Sequence, residues 1–244
     1  MDPLTTAAAS GIQARMDSLD MLANNIANAS SGGFKADREF YNTYVAPELA
    51  NTGDDTVGPA PVVQSGWTDF SQGTLVDTGK PTDLALSGKG FFAVNGPGGP
   101  LYTRNGSFQL TAAGSLVTSD GYPVRLANGQ ALQAQGDDPI EVNPDGEIRQ
   151  GGNVLGQLEL VDVPAGSLTR MGSMYFRTSG TPAATSASTA QVTQGKLENS
   201  NSGPTEAAAR LVMVMRQFDM LQRAAKIGDQ MNQQAVQQVA SLGS

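Results

Sequence analysis

The sequence predicts an α+β chain. Its two ends form a discontinuous α-helical terminal domain, paired in a coiled-coil-like way, around a central antiparallel all-β domain. Three observations predict this. Near the C-terminus, Leu211, Val214, Phe218, Leu221, Ala225, Gly228, Asn232, Ala235, Val239 and Leu242 recur at alternating steps of three and four. That is a heptad seam, which asks for a helical partner along one face. Near the N-terminus, Ile12, Leu19, Leu22 and Ile26 follow a shorter version of the same rhythm. Between the two, short apolar runs alternate with glycine-bearing turns, the pattern of a β domain. The expected boundaries are 1–30 for the first helix, 31–70 for an extended arm and flexible linker, and 71–192 for the β domain. A return segment at 193–203 and the last helix at 204–244 complete the chain.

The first helix opens on Asp2 and Pro3, an N-cap followed by proline at a position where its missing N–H is no loss. Helical spacing continues to about Asn28, a length of roughly 39 Å. Asn28 to Gly33 (NASSGG) ends it with residues that favour turns. Asn24, Asn25 and Asn28 cluster before that stop and admit two readings. They form either a solvated polar helix end or side-chain amides bonded across a helix–helix interface, where they would fix register. Phe34 to Val45 carries apolar and aromatic residues in an extended arm, and Ala46 to Pro61 is polar and rich in Gly and Pro, as flexible loops are.

Strand signals run from Trp67 to about Gln191. Asp83–Leu86 and Phe91–Val94 flank a tight reversal at Gly88-Lys89-Gly90, and Leu101–Thr103 and Ser107–Leu110 flank Arg104-Asn105-Gly106, a hairpin turn with Asn-Gly at its centre. Ala113-Gly114, Asp120-Gly121, Asn128-Gly129 and Asp145-Gly146 repeat the turn signal, which argues for a sandwich or barrel-like domain. Val154–Val163 and Met174–Arg177 supply further strands, and Thr178–Thr189 reads as a Ser/Thr/Ala-rich loop. Gln194–Glu198 is a short extended return. Gly203-Pro204 then starts the last helix, with Glu206 in the first turn, where the dipole favours an acid. Running to Leu242, that helix is about 58 Å long, a length normal for an assembly element.

Composition excludes several functions. With 15 basic and 23 acidic residues the net charge is −8, so phosphate-neutralising contact with nucleic acid is not expected. The chain has neither cysteine nor histidine, which removes thiol chemistry, disulfides, the commonest general base and the commonest zinc ligand. No apolar run is long enough to span a bilayer, so direct membrane insertion is not expected. Met1 to Ala9 lacks the charged and apolar regions of a secretory signal, so the protein is expected to stay inside or to leave without a cleaved signal. The Gly-Pro-Gly-Gly-Pro run at 96–100 lacks the phosphate-loop pattern, and its prolines remove N–H donors. Asp54-Asp55 and Asp137-Asp138 read as solvated turns, and Asp145-Gly146 lacks the remaining ligands of a calcium loop. With no serine elbow either, no enzyme activity, cofactor or metal is expected.

Four segments resemble one family, the axial proteins of the bacterial flagellum (rod and hook). Met21–Asn28 (MLANNIAN) with Gly33-Phe34-Lys35 is similar to the signature at the end of that family's first helix. Gln72-Gly73-Thr74-Leu75, Thr78–Leu86 and Gly88–Phe92 resemble its Q-G-x-L…T-G-x-P-x-D…G-x-G-F-F block. Thr103–Phe108 with Gly114 and Asp120–Val124 is the third, and Gln194–Asn201 (QGKLENSN) the fourth. Arg216–Met220 and the short length resemble the rod members, the proximal part ahead of the distal. Ser202-Gly203-Pro204 departs from the family, which has an aliphatic residue after the Ser-Asn pair.

The resemblance implies a structural subunit of the basal-body rod. Its terminal helices would line a tube, and its β domain would project outward. The implied partners are copies of itself, other rod subunits and the flagellar type III export apparatus, and the implied location is the periplasmic rod. The expected assembly interface is Leu4, Ile12, Leu19, Leu22, Asn24, Asn25, Ile26 and Asn28 on the first helix, with Leu211, Val214, Phe218, Leu221, Ala225, Val239 and Leu242 on the last. In a lone chain Leu211, Val214, Phe218 and Leu221 are expected as an exposed stripe, and burying each is worth about 1.5–3 kcal/mol. The termini are accordingly expected to be partly disordered until they dock. Two other readings remain beside this one, a secreted hydrolase or carbohydrate-binding β domain with helical tails, and a cytosolic coiled-coil adaptor.

Overall fold

The computed structural model describes residues 3–44, 60–134, 138–178, 185–186 and 190–242. The fold is α+β, with one long helix at each end of the chain and antiparallel strands between. The chain divides into two compact units. Residues 1–27, 37–68 and 204–244 make a helical unit, and residues 28–36 with 69–203 make a β unit.

In the helical unit, α1 (Pro3–Ala27) packs on the C-terminal helix and on a two-stranded ribbon, β1 (Asp37–Tyr44) and β2 (Ala60–Thr68). Its fully buried positions are Gly11, Ala14, Ser18, Leu22 and Asn25. The spacing is helical, yet the face is centred about one residue away from the expected stripe, so that Ile12, Leu19 and Ile26 are only half-buried. The physical reason is size. Small side chains let a neighbouring backbone come close, and a Cβ added at Gly11 would lie 3.4 Å from Leu221 Cδ1. Ser18 is accommodated there because its hydroxyl donates to Ala14 O at 2.9 Å, leaving no unpaired polar group.

The ribbon differs from the expected arm and flexible linker. Asp37–Tyr44 and Ala60–Thr68 pair antiparallel, from Asp37 opposite Thr68 to Tyr44 opposite Ala60, with a bulge between Phe40 and Tyr41. Backbone groups left alone in an arm are satisfied here by a strand partner. Most of the expected Gly/Pro-rich loop, 45–59, lies outside the described residues, as do Asp2 and the segments 179–184 and 187–189 of the expected Ser/Thr loop.

The C-terminal helix, α2 (Pro204–Leu242), begins on proline and carries Glu206 in its first turn. Ala207, Val214 and Gly228 are buried, and Leu211, Phe218, Leu221 and Ala225 are half-buried. The expected exposed stripe is therefore largely covered within a single chain, because α1 packs on α2. What a single chain does expose is the opposite side of the helix, with Met213 at 59%, Met220 at 62% and Ile227 at 56% of their surface accessible.

The β unit contains β3 (Leu75–Asp77), β4 (Leu84–Ser87), β5 (Phe91–Gly96), β6 (Gly99–Thr103), β7 (Gln109–Leu110) and β8 (Leu116–Val117). These are followed by β9 (Ile140–Val142), β10 (Glu147–Gln150), β11 (Asn153–Gln157), β12 (Leu160–Asp162), β13 (Leu168–Met171) and β14 (Tyr175–Thr178). The short β15 (Thr185–Ser186), β16 (Gln191–Gln194) and β17 (Lys196–Glu198) complete the set. A six-stranded sheet in the order β13-β14-β6-β5-β12-β15 is accompanied by a three-stranded sheet, β11-β10-β9, and by the pairs β16-β4, β17-β3 and β7-β8. Alternate residues of β5 feed two cores. Phe92 and Val94 join one built around Leu84, Phe108, Leu132 and Ile148, and Phe91 and Ala93 join another with Tyr102, Val161 and Phe176. A strand apolar on both faces is buried on both faces, which is why FFAV shows no alternation.

Two expected hairpins are corrected. β4 and β5 do not pair across Gly88–Gly90: β4 pairs with β16, and β5 with β6 and β12. Arg104-Asn105-Gly106 is not a hairpin turn either, since β6 pairs with β5 and β14, and β7 with β8. At that point the backbone crosses another strand, and a Cβ at Gly106 would fall 1.6 Å from Leu84 O, so glycine serves close approach there. The β5–β6 hairpin instead uses the Gly-Pro-Gly-Gly run, with Gly96 opposite Gly99. The turns at Gly114, Gly121, Gly129 and Gly146 stand as expected. Each glycine donates to the carbonyl three residues back with φ between 80° and 87°.

Candidate functional site

Two features of the fold bear on function, the exposed face of α2 and a cluster of buried charges inside the β unit. The cluster is centred on Glu198, the last residue of β17, whose side chain is fully buried. Its Oε1 accepts from Lys35 Nζ at 2.6 Å and from the Gly73 N–H at 2.8 Å, and its Oε2 accepts from Arg104 Nη1 at 3.2 Å. Lys35 Nζ also donates to Ser71 O at 2.7 Å, and Arg104 Nη2 to Gly88 O at 2.6 Å. The Arg104 guanidinium lies 5.5 Å from the centroid of the Phe91 ring. Burial lowers the pKa of the Lys35 ammonium, opposed by the Glu198 charge, and lowers that of Arg104 in the same way.

Glycines make room for the cluster. Gly33 has φ +69°, and a Cβ there would sit 2.3 Å from the Arg104 carbonyl carbon, while a Cβ at Gly73 would sit 2.0 Å from Asn199 O. Around the charges runs a second layer of hydrogen bonds. Gly33 N–H donates to Glu198 O at 2.6 Å, and Asn199 N–H to Thr74 O at 2.9 Å. Arg170 Nη2 donates to Lys35 O at 2.5 Å, and its guanidinium lies 5.2 Å from the Phe34 ring centroid and 5.0 Å from that of Phe176. One positive cluster member more than the single carboxylate requires is thus offset by backbone carbonyls.

The expected interface residues divide as follows. Leu22, Asn25 and Val214 are buried, and Ile12, Leu19, Ile26, Asn28, Leu211, Phe218, Leu221 and Ala225 are half-buried. Asn24 is exposed, and the side chains of Leu4, Val239 and Leu242 lie outside those described. Asn25 corrects both readings of the asparagine cluster at its own position. Its amide accepts from the Asp37 N–H at 3.0 Å and donates to Asp37 O at 2.8 Å. It pins the start of β1 to the end of α1 within the helical unit, rather than facing solvent or another helix. On the outer side of α2, Met213, Met220 and Ile227 are spaced by seven, with Ala209, Val212 and Arg216 beside them lining a shallow groove.

Lys35, Arg104 and Glu198 were not expected as site residues. Lys35 and Arg104 are the single charges in GFK and TRNG, and Glu198 is the single acid in KLENSN beside Lys196. A lone charge within such a block was the available signal, but its partner stands 163 residues away for Lys35 and 94 for Arg104. The four segments that carry the flagellar resemblance meet here: Lys35 from the first, Gly73 from the second, Arg104 from the third and Glu198 from the fourth.

Comparison with known proteins agrees with that convergence. Residues 85–150 match the family model described as the flagellar hook protein FlgE/F/G D1 domain, and residues 193–238 the flagellar basal body rod FlgEFG protein C-terminal. The flagellar basal-body rod protein FlgF of Mesorhizobium japonicum is 34% identical, over 82% of this chain and 83% of its own length. The chain belongs to the flagellar basal-body rod protein family. FlgF of Caulobacter vibrioides is 31% identical over 92% of both chains, and FlgG of Buchnera aphidicola from Acyrthosiphon pisum is 29% identical over 97% of this chain and 100% of its own. The rod-family likeness is thus slightly stronger to FlgF than to FlgG. Within the matched regions, Arg104 falls in the D1 model and Glu198 in the C-terminal model, so the charge cluster joins the two.

Proposed function

We propose that this rod-family chain is a structural, non-enzymatic subunit of the proximal rod, assembling through α1 and α2 with copies of itself and with other rod subunits. The observation that carries this reading is the uncovered apolar face of α2. Met213, Met220 and Ile227 remain more than half exposed while the heptad face on the other side is occupied by α1. A helix with one seam filled and a second apolar stripe seven-spaced beside it is built for neighbours on two sides. On this reading α1 and α2 pair in a coiled-coil-like manner, and the shaft they build in the periplasm transmits torque. Export runs through the flagellar type III apparatus without a cleaved signal, and neither nucleic acid nor membrane insertion is involved. A distal-rod position is the second reading, supported by FlgG relatives that span nearly the whole chain.

Met220→Glu tests the reading. It places a charge on the outer face and leaves the α1–α2 packing untouched, so circular dichroism of the purified chain should be unchanged. Incorporation into basal bodies, followed by a tag on the chain, should be lost together with swimming in a strain lacking the native gene. Normal swimming by that variant would sink the proposal.

A further inference from the structure

The chain passes between its two units at four places: 27–28, 36–37, 68–69 and 203–204. On the β-unit side, the residues next to these crossings are tied to one another. Ala36 N–H donates to Asn201 Oδ1 at 2.8 Å, Asn201 Nδ2 donates to Asp69 O at 2.6 Å, and Asp69 N–H donates back to Ala36 O at 2.8 Å. The ring is closed, and it ties together three of the four crossings, those at 36–37, 68–69 and 203–204. Asn201 Nδ2 also donates to Ser71 O at 3.2 Å, the carbonyl that accepts from Lys35 Nζ at 2.7 Å, so the ring and the charge cluster share an acceptor.

Hydrogen bonds of this kind open one by one, each with a small net effect. The buried charges behave differently. Removing the one anion leaves two cations in the interior, and breaking a buried pair is far more costly than losing an exposed one. Glu198 arrives from 163 residues beyond Lys35 and 94 beyond Arg104, so its site is complete only when early, middle and late parts of the β unit are all in place.

We propose that Glu198 is a closing latch. Its carboxylate completes a socket prepared by Lys35 and Arg104 and holds the crossings at 36–37, 68–69 and 203–204 as one fixed knot, which loss of the charge releases while the sheets stay folded. In a rod subunit such a knot gives twisting load a stiff path through those three crossings. That mechanical consequence rests on the rod reading, whereas the latch itself does not.

Hydrogen exchange on the full-length chain at neutral pH, read segment by segment, provides the test. Glu198→Gln keeps the side-chain shape and an acceptor for the Gly73 N–H, and should speed exchange at 33–36, 69–73 and 199–201 by about tenfold or more. Amides of β4 and β5 should stay within about twofold of the native chain. The double variant Lys35→Met with Glu198→Gln removes one of the stranded cations and should be less disturbed than Glu198→Gln alone, a non-additivity expected only if the two act together. It also keeps the test usable where the single variant does not fold. Acceleration spread evenly over β4, β5 and the crossings, or no acceleration at all, would overturn the latch. Because the measurement needs no rod, a negative result is distinct from a failure of the rod reading.

Discussion

In the helical unit the buried face of α1 is lined by Gly11, Ala14 and Ser18, whereas the β unit buries Phe34, Phe92, Phe108 and Phe176 together with a lysine, an arginine and a glutamate. The first uses small residues to bring helices close and leaves a methionine-rich stripe in water. The second fills its interior with bulk and satisfies its charges internally. The difference teaches what each part is for. On the proposed rod reading, a unit that leaves an apolar stripe uncovered can be shared among copies, since methionine adapts to irregular partners. A unit whose buried charges are paired with one another and with backbone carbonyls can be displayed or loaded without changing its inner structure.

Glycine provides the sharpest way to break this contrast. Gly106 lies buried where the segment after β6 runs past β4, and any Cβ there would collide with Leu84 O at 1.6 Å and press on the Phe92 ring at 3.3 Å. The obstacle is a backbone carbonyl whose oxygen accepts no relief from rotamer change, and Leu84 N–H in turn donates to Gly106 O at 3.0 Å. Gly106→Ala should therefore cost about 3 kcal/mol or more of β-unit stability, at the high end for overpacking. Urea unfolding followed by intrinsic fluorescence or far-UV dichroism measures it. A midpoint unchanged from the native chain would mean that the crossing is looser than it stands in the fold.

A smaller effect sharpens the electrostatic half of the comparison. Burial, opposed by Glu198, holds the Lys35 pKa below the ordinary lysine value of 10.5. The groups bearing on it are Glu198, Arg104 and Asp69. A folded pKa below the unfolded one means that, between the two, the unfolded chain carries a proton the folded chain has released. Stability then rises with pH through that window and is flat below it. Measured against Lys35→Met, the native chain should gain stability as pH rises toward 10.5, with a slope of at most about 1.4 kcal/mol per pH unit. A difference between the two proteins that falls as pH rises would show that the Glu198 attraction outweighs burial.

The contrast also explains what was legible in the sequence. Both helices, the heptad in α2 and the turns at Gly114, Gly121, Gly129 and Gly146 are local patterns, and periodicity and turn chemistry report local patterns well. Partners are not local. Gly88–Gly90 and Arg104–Gly106 carry the residues of tight reversals, yet β4 finds its partner in β16, on the far side of the β unit's sequence. Likewise, nothing in the spacing of Asn24, Asn25 and Asn28 names Asp37 as the acceptor and donor for Asn25. The shift of the α1 face arose because a hydrophobic pattern finds large residues, whereas this interface selects small ones. Lys35 and Arg104 are visible as lone charges in motif blocks and Glu198 as a lone acid, but only the fold brings both cations within 3.2 Å of the Glu198 carboxylate.

The gentlest substitution is the most diagnostic for the helical unit. Gly11 sits in the middle of α1, and a Cβ there would meet Leu221 Cδ1 at 3.4 Å and Cδ2 at 3.5 Å, both within ordinary van der Waals range. These atoms are the far end of a half-buried side chain that can rotate, not backbone. Alanine in a helix interior is favoured over glycine by about 0.5–1 kcal/mol, because the unfolded chain has less freedom to lose. Gly11→Ala should therefore leave the unit as stable as before or raise its melting midpoint slightly, the opposite sign from Gly106→Ala. If Gly11→Ala instead lowers the midpoint by several degrees, α1 and α2 are packed against each other as rigidly as the strands of the β unit, and the distinction between a unit finished by its neighbours and a unit finished alone fails where Gly11 meets Leu221.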